Sequence, residues 1–95
     1  MLAYVYIITN QDNSTLYTGV TTDISKRIDN HKNKDSKKSF SARYNCNKLV
    51  YIEVFEDLYQ ARIREKRIKS WNRKWKNELI EKDNPFYQDI SDKIQ

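Results

Sequence analysis

The sequence predicts an α+β fold, a three-stranded antiparallel sheet with flanking helices in the order β-β-α-β-α-α. Three observations carry that expectation. Two β-branched and aromatic runs, Ala3-Tyr4-Val5-Tyr6-Ile7-Ile8 and Thr15-Leu16-Tyr17-Thr18-Gly19-Val20, flank the turn formers Asn10-Gln11-Asp12-Asn13-Ser14. A third run of the same character, Lys48-Leu49-Val50-Tyr51-Ile52-Glu53-Val54-Phe55, follows a polar interval. Apolar residues at helical spacing then fill the remaining segments, so helices should pack on a small antiparallel sheet.

The first two runs form a hairpin with strands at roughly 3–9 and 15–20. A register that sets Tyr6 opposite Tyr17 places both phenols on one face of the sheet, because side chains alternate with a period of two. The same register puts Gly19 opposite Tyr4. Thr22-Asp23 offers a helix N-cap, and Ile24 with Ile28 begins an apolar stripe on a helix to about Lys32. Residues 33–47 read as a basic loop with one turn of helix near Phe40–Tyr44, and residues 48–55 as the third strand. Asp57 caps a long basic helix to about Lys69. A further helix over about 72–82 carries Trp71, Trp75 and Leu79 at helical spacing, and Asp83-Asn84-Pro85 stops it. A short terminal helix pinned by Phe86, Tyr87 and Ile90 completes the chain.

Ninety-five residues suit a single domain, 1–95, with a modest core. Seven tyrosines and two tryptophans should supply much of the buried bulk. The net charge of +5 is unevenly spread: Arg62 to Lys76 holds eight Lys or Arg against Glu65 alone. Lys26 to Lys48 holds eight more against Asp29 and Asp35. Two basic stretches in a small basic domain point to a polyanion, nucleic acid before an acidic membrane. Cys46 has no partner for a disulfide, and one Cys with one His makes no ordinary zinc site. With no leader and no bilayer-length apolar run, the expected location is the cytoplasm.

Glu65 is the sharpest anomaly. On its helix Leu58, Ala61 and Ile68 define the apolar stripe, and Glu65 falls inside it while Arg62, Arg64, Lys66 and Arg67 take the outer positions. A core-facing carboxylate needs a cation, a metal or several donors, since an isolated buried charge costs several kcal/mol. Arg27 is the obvious ion-pair partner, and Mg²⁺ is the functional alternative, because that ion often takes one or two carboxylates with its waters and a substrate phosphate. Arg27 and His31, four apart, share a face of the first helix.

The ordered set Tyr6, Tyr17-x-Gly19, Arg27, His31 and Glu65 resembles the GIY-YIG nuclease superfamily, which includes the N-terminal nuclease domain of the excision-repair protein UvrC. Arg64-Glu65-Lys66, Ile68-Lys69-Ser70-Trp71 and Asn84-Pro85 resemble its small stand-alone bacterial branch. The resemblance implies a metal-dependent endonuclease hydrolysing DNA phosphodiester bonds in repair or processing, using one Mg²⁺ or Mn²⁺ held by Glu65. It assigns Tyr6, Tyr17, Arg27, His31 and Glu65 to catalysis and Gly19 to shaping the site, with Asn77 at the spacing of an asparagine used by some members.

In that scheme Tyr17 activates the attacking water with Tyr6 hydrogen-bonded nearby, although sequence alone leaves the two phenols interchangeable as base. A tyrosine's ordinary pKa of about 10 means that neighbouring positive charge must favour its ionised form. Arg27 clamps the phosphate, and Lys26, Arg62, Lys66 and Lys69 grip the backbone of DNA, branched or single-stranded. The first motif departs from the family, with Tyr4 where the glycine usually stands. That change favours the alternative of a catalytically weak or inactive nucleic-acid-binding module of the same fold.

Overall fold

A computed structural model describes residues 1–33 and 46–94. The helical turn expected near Phe40–Tyr44 lies outside the described residues, as does most of the first basic stretch. Three strands, β1 (Ala3–Thr9), β2 (Leu16–Thr21) and β3 (Lys48–Phe55), form an antiparallel sheet in the order β2-β1-β3. Three α-helices follow the predicted order: α1 (Ile24–Asn33), α2 (Leu58–Lys69) and α3 (Arg73–Asp83). The fold is therefore the α+β arrangement expected from the sequence.

The central position of β1 explains its unbroken apolar run. Ala3, Val5 and Ile7 pack on one face with Ala61 and Ile68 of α2 and Ile80 of α3. Tyr6 and Ile8 pack on the other with Ile24 and Ile28 of α1, together with Cys46 and Leu49. A strand covered on both faces needs apolar residues at successive positions, whereas a half-exposed one would alternate. Cys46 is fully buried.

The hairpin register differs from the expected one. Tyr6 pairs with Gly19 and Tyr17 with Ile8, while Tyr4 pairs with Thr21. The turn supplies the reason. Asn10 Oδ1 accepts from the Thr15 amide at 3.1 Å, and Asn10 Nδ2 donates to Ser14 Oγ at 2.8 Å. Asp12 accepts from the Ser14 amide at 3.1 Å, and Asn13 takes a left-handed conformation at φ 62°. Thr15 is thereby drawn into the turn and the ladder closes at Thr9 and Leu16. The slip is even, so Tyr6 and Tyr17 still share a face.

A bulge in β3 opposite Ile7 and Ile8 leaves Val50 as the extra residue. The C-terminal segment satisfies the backbone there. Asn84 Nδ2 donates to the Val50 carbonyl at 3.1 Å, the Leu49 amide donates to Asp89 Oδ1 at 3.2 Å, and the Ile90 amide donates to the Leu49 carbonyl at 2.8 Å.

Caps set the later helices as the sequence suggests. Asp57 accepts from the Gln60 amide at 2.8 Å, and Asn72 accepts from the Trp75 amide at 2.9 Å. The expected terminal helix is only a 3-10 turn at Ser91–Ile94, and Phe86 is 82% exposed instead of pinning it. The aromatic residues also contribute less to the core than expected. Among the described tyrosines and tryptophans only Tyr6 and Tyr51 are buried; Tyr59 and Trp75 stand largely in solvent.

Candidate active site

Tyr6 lies at the centre of the site and is fully buried. Its ring fits because Gly19, its partner across the ladder, has no side chain: a Cβ there would stand 2.5 Å from Tyr6 Cζ and meet the hydroxyl as well. The Tyr6 ring is buried and cannot give way, so the glycine is required by close approach. This corrects the sequence-based placement of Gly19 against Tyr4. Tyr4 is half-buried at the margin of the α1-side cluster.

Tyr17 is half-buried on the same face, its ring centroid 6.5 Å from that of Tyr6 with the planes inclined at 43°. Arg27 comes from the first turns of α1, where Asp23 accepts from the Lys26 amide at 3.1 Å as the cap. Arg27 is exposed, and its guanidinium donates a hydrogen bond to the Tyr6 hydroxyl. Burial pushes the Tyr6 pKa up to about 12, with Tyr17 adding to the rise and the Arg27 charge and hydrogen bond opposing it. The negative charge of Glu65 also raises it. The groups that act on the Tyr6 phenol are thus Tyr17, Arg27 and Glu65.

Glu65 arrives on α2, from the layer on the other side of the sheet. Its side chain is only 14% exposed, although it is charged. Its ion-pair partner is not Arg27, as expected from sequence, but Lys69 one turn later, with Nζ 2.6 Å from Oε2. The reason is local: residues four apart on a helix are neighbours, and Glu preceding Lys is the favoured order. Arg27 is left to the phenol. The Glu65/Lys69 spacing was a signal present in the sequence.

His31 occupies α1 one turn beyond Arg27, and its side chain lies outside the described residues. Asn77 accepts from Arg73 Nε at 3.0 Å. The same guanidinium donates to the Ser14 carbonyl at 3.0 Å and to the Asn13 carbonyl. Asn77 therefore helps to tie α3 to the hairpin turn, a link that no sequence spacing announces. Of the residues expected from the sequence to contact a DNA backbone, Lys26, Arg62 and Lys66 are exposed, while Lys69 is engaged with Glu65. Among the described residues no three His, Cys, Asp or Glu side chains converge. A divalent ion at Glu65 would take that one protein carboxylate, with waters and phosphate oxygens completing its shell. A shielded carboxylate paired with a half-exposed lysine suits such an exchange.

Two phenols, an arginine and a shielded carboxylate around a small antiparallel sheet define a class of nuclease domain. The chain belongs to the GIY-YIG family: residues 2–78 match the model of the GIY-YIG catalytic domain. It is 44% identical over 77 residues to a UPF0213 protein of Clostridium perfringens, covering 81% of both chains. It is 40% identical over 78 residues to one of Haloquadratum walsbyi, covering 82% of this chain and 85% of the other. The solution NMR structure of a UPF0213 protein from Bacillus halodurans superposes with a TM-score of 0.58 at 30% identity, covering 94% of this chain and 93% of that one. Among the described residues no helix is long and apolar enough to cross a membrane.

Proposed function

We propose that the protein is a Mg²⁺- or Mn²⁺-dependent endonuclease that hydrolyses DNA phosphodiester bonds. The observation that carries this reading is the Tyr6–Tyr17 pair, ring centroids 6.5 Å apart, with Arg27 hydrogen-bonded to Tyr6 and the Glu65 charge acting on the same phenol. Burial pushes the Tyr6 pKa up to about 12, so this phenol gives up its proton less readily than an ordinary tyrosine and serves as a hydrogen-bond partner. Tyr17, half-buried and closer to solvent, takes the proton from the attacking water as the new O–P bond forms and the P–O3′ bond breaks. Tyr6 holds Arg27 by its hydroxyl and keeps the guanidinium beside the phenol pair.

Arg27 donates to the non-bridging oxygens of the scissile phosphate and stabilises the charge that accumulates there. Glu65 would hold the metal in place of its pairing with Lys69, and the ion when bound would supply Lewis-acid stabilisation of the developing charge. Lys26, Arg62 and Lys66, exposed on α1 and α2, grip the DNA backbone without reading sequence. Cytoplasmic DNA repair or processing is the setting that this activity fits.

Nicking of supercoiled plasmid tests the assignment. Glu65→Ala and Arg27→Ala should each slow cutting by at least about 100-fold, the cost typical of losing a preorganised electrostatic partner. Both variants should remain folded by circular dichroism. Cutting that survives both substitutions would point to a contaminant and end this reading. The second reading, a binding module of the same fold, rests on Tyr4 in place of the first-motif glycine; DNA binding without nicking by the unsubstituted protein would favour it.

A further inference from the structure

Arg64 stands next to Glu65 on α2 yet reaches in another direction. Its Nε donates to Glu53 Oε1 at 3.0 Å and its Nη2 to Glu53 Oε2 at 3.4 Å. The Tyr51 hydroxyl donates to the same Oε2. The guanidinium also lies over the Trp71 ring, 5.3 Å from its centroid. Tyr51 and Glu53 belong to β3, the edge strand on the side of β1 away from β2. The pair is partly shielded from water, with side chains 25% and 27% exposed.

Such an anchor is needed because the apolar face of α2 is thin. Its buried residues are Ala61 and Ile68, and Leu58 is only half-buried, while Tyr59 and Ile63 are exposed. A narrow stripe with an alanine in it fixes the rotation of a helix poorly, since many rotations bury nearly the same area. A forked, charge-assisted contact with a carboxylate, stacked on an aromatic ring, tolerates little displacement.

We propose that Arg64, held by Glu53 and Tyr51 on β3 and by Trp71, is a positioning residue that sets the rotation of α2 and hence the placement of the Glu65 carboxylate at the tyrosine site. The proposal rests on the reading of Glu65 as a site carboxylate. Side-chain ends lie about 6 Å from a helix axis, so a rotation of roughly 20° moves them about 2 Å. Misplacement by about 1 Å can cost on the order of 100-fold in rate.

Glu53→Gln separates this role from a direct phosphate contact. Were Arg64 simply a DNA-binding cation, removing the Glu53 charge would free it, lower KM and leave kcat intact. Positioning predicts the reverse: kcat for plasmid nicking falls by about tenfold or more, with KM unchanged. The Tm should fall by only a few degrees, because a partly exposed pair contributes little to stability. Arg64→Lys, which keeps the charge but loses the fork, should behave alike, and the double variant should be no worse than Arg64→Lys alone.

Two NMR measurements need no cutting. The amide residual dipolar couplings of α2, measured relative to those of β3, should change in Glu53→Gln as a rotated helix requires. Broadening of the Glu65 amide by Mn²⁺ should require several-fold more metal. Unchanged α2 dipolar couplings in both single variants overturn the proposal, as does a lower KM with unchanged kcat. An unsubstituted protein that neither cuts nor shows Mn²⁺ broadening counts against the nuclease reading, while the α2 dipolar couplings still decide the positioning.

Discussion

Tyr6 joins folding to chemistry in one side chain. It is packed against Gly19, hydrogen-bonded by Arg27, and pushed up to a pKa of about 12 chiefly by burial. A pKa raised in the folded state means that the native protein holds the proton after the unfolded chain has released it. The associated stability is complete below pH 10 and is lost as pH rises from about 10 to 12. The difference of about two units corresponds to roughly 3 kcal/mol. Tyr87, also raised to about 12, and Tyr51, raised by burial and by Glu53, act in the same direction. Tyr6→Phe should therefore show a shallower loss of stability across that window in urea melts at stepped pH; an unchanged slope would show that the ring is not buried as described. At this scale the sequence was partly legible. Glu65 betrayed itself by lying in an apolar stripe, whereas the hydrogen bond from Arg27 to Tyr6 depends on how α1 docks and has no local signature.

The elements were more legible than the joints between them. Helical spacing, β-branched and aromatic runs and the caps at Asp23 and Asp57 identified every described strand and α-helix, because each signal acts within a few residues. The hairpin register was not readable, since it depended on Asn10 engaging both Ser14 and Thr15 and so lengthening the turn. The terminal segment failed for a related reason. Asn84, Asp89 and Ile90 spend their hydrogen bonds on the β3 bulge instead of on a helix of their own. Arg73 is the principal polar tie between α3 and the hairpin turn, through the Asn13 and Ser14 carbonyls. Arg73→Ala should accelerate amide hydrogen exchange at Asn13 and Thr15 several-fold while leaving the α2 amides unaffected. Equal acceleration throughout would indicate global destabilisation and no specific tie.

The molecule as a whole places its sheet between α1 on one face and α2 with α3 on the other. That layering brings charges from distant sequence positions around two phenols on adjacent strands. Tyr6 and Tyr17 share a face through the pleat, Arg27 reaches them from α1, and the charge of Glu65 acts from α2. Exposed cations stand on α1 and α2, the helices that carry Arg27 and Glu65. Single-turnover cleavage of supercoiled plasmid and of a branched oligonucleotide, comparing Tyr6→Phe with Tyr17→Phe, tests this account most directly. The account predicts cutting that requires Mg²⁺ or Mn²⁺ and stops with chelator. Tyr17→Phe should lose at least about 100-fold, as expected for a missing general base, and Tyr6→Phe markedly less. Cutting by Tyr17→Phe at the unsubstituted rate, or undiminished cutting in chelator, would contradict it.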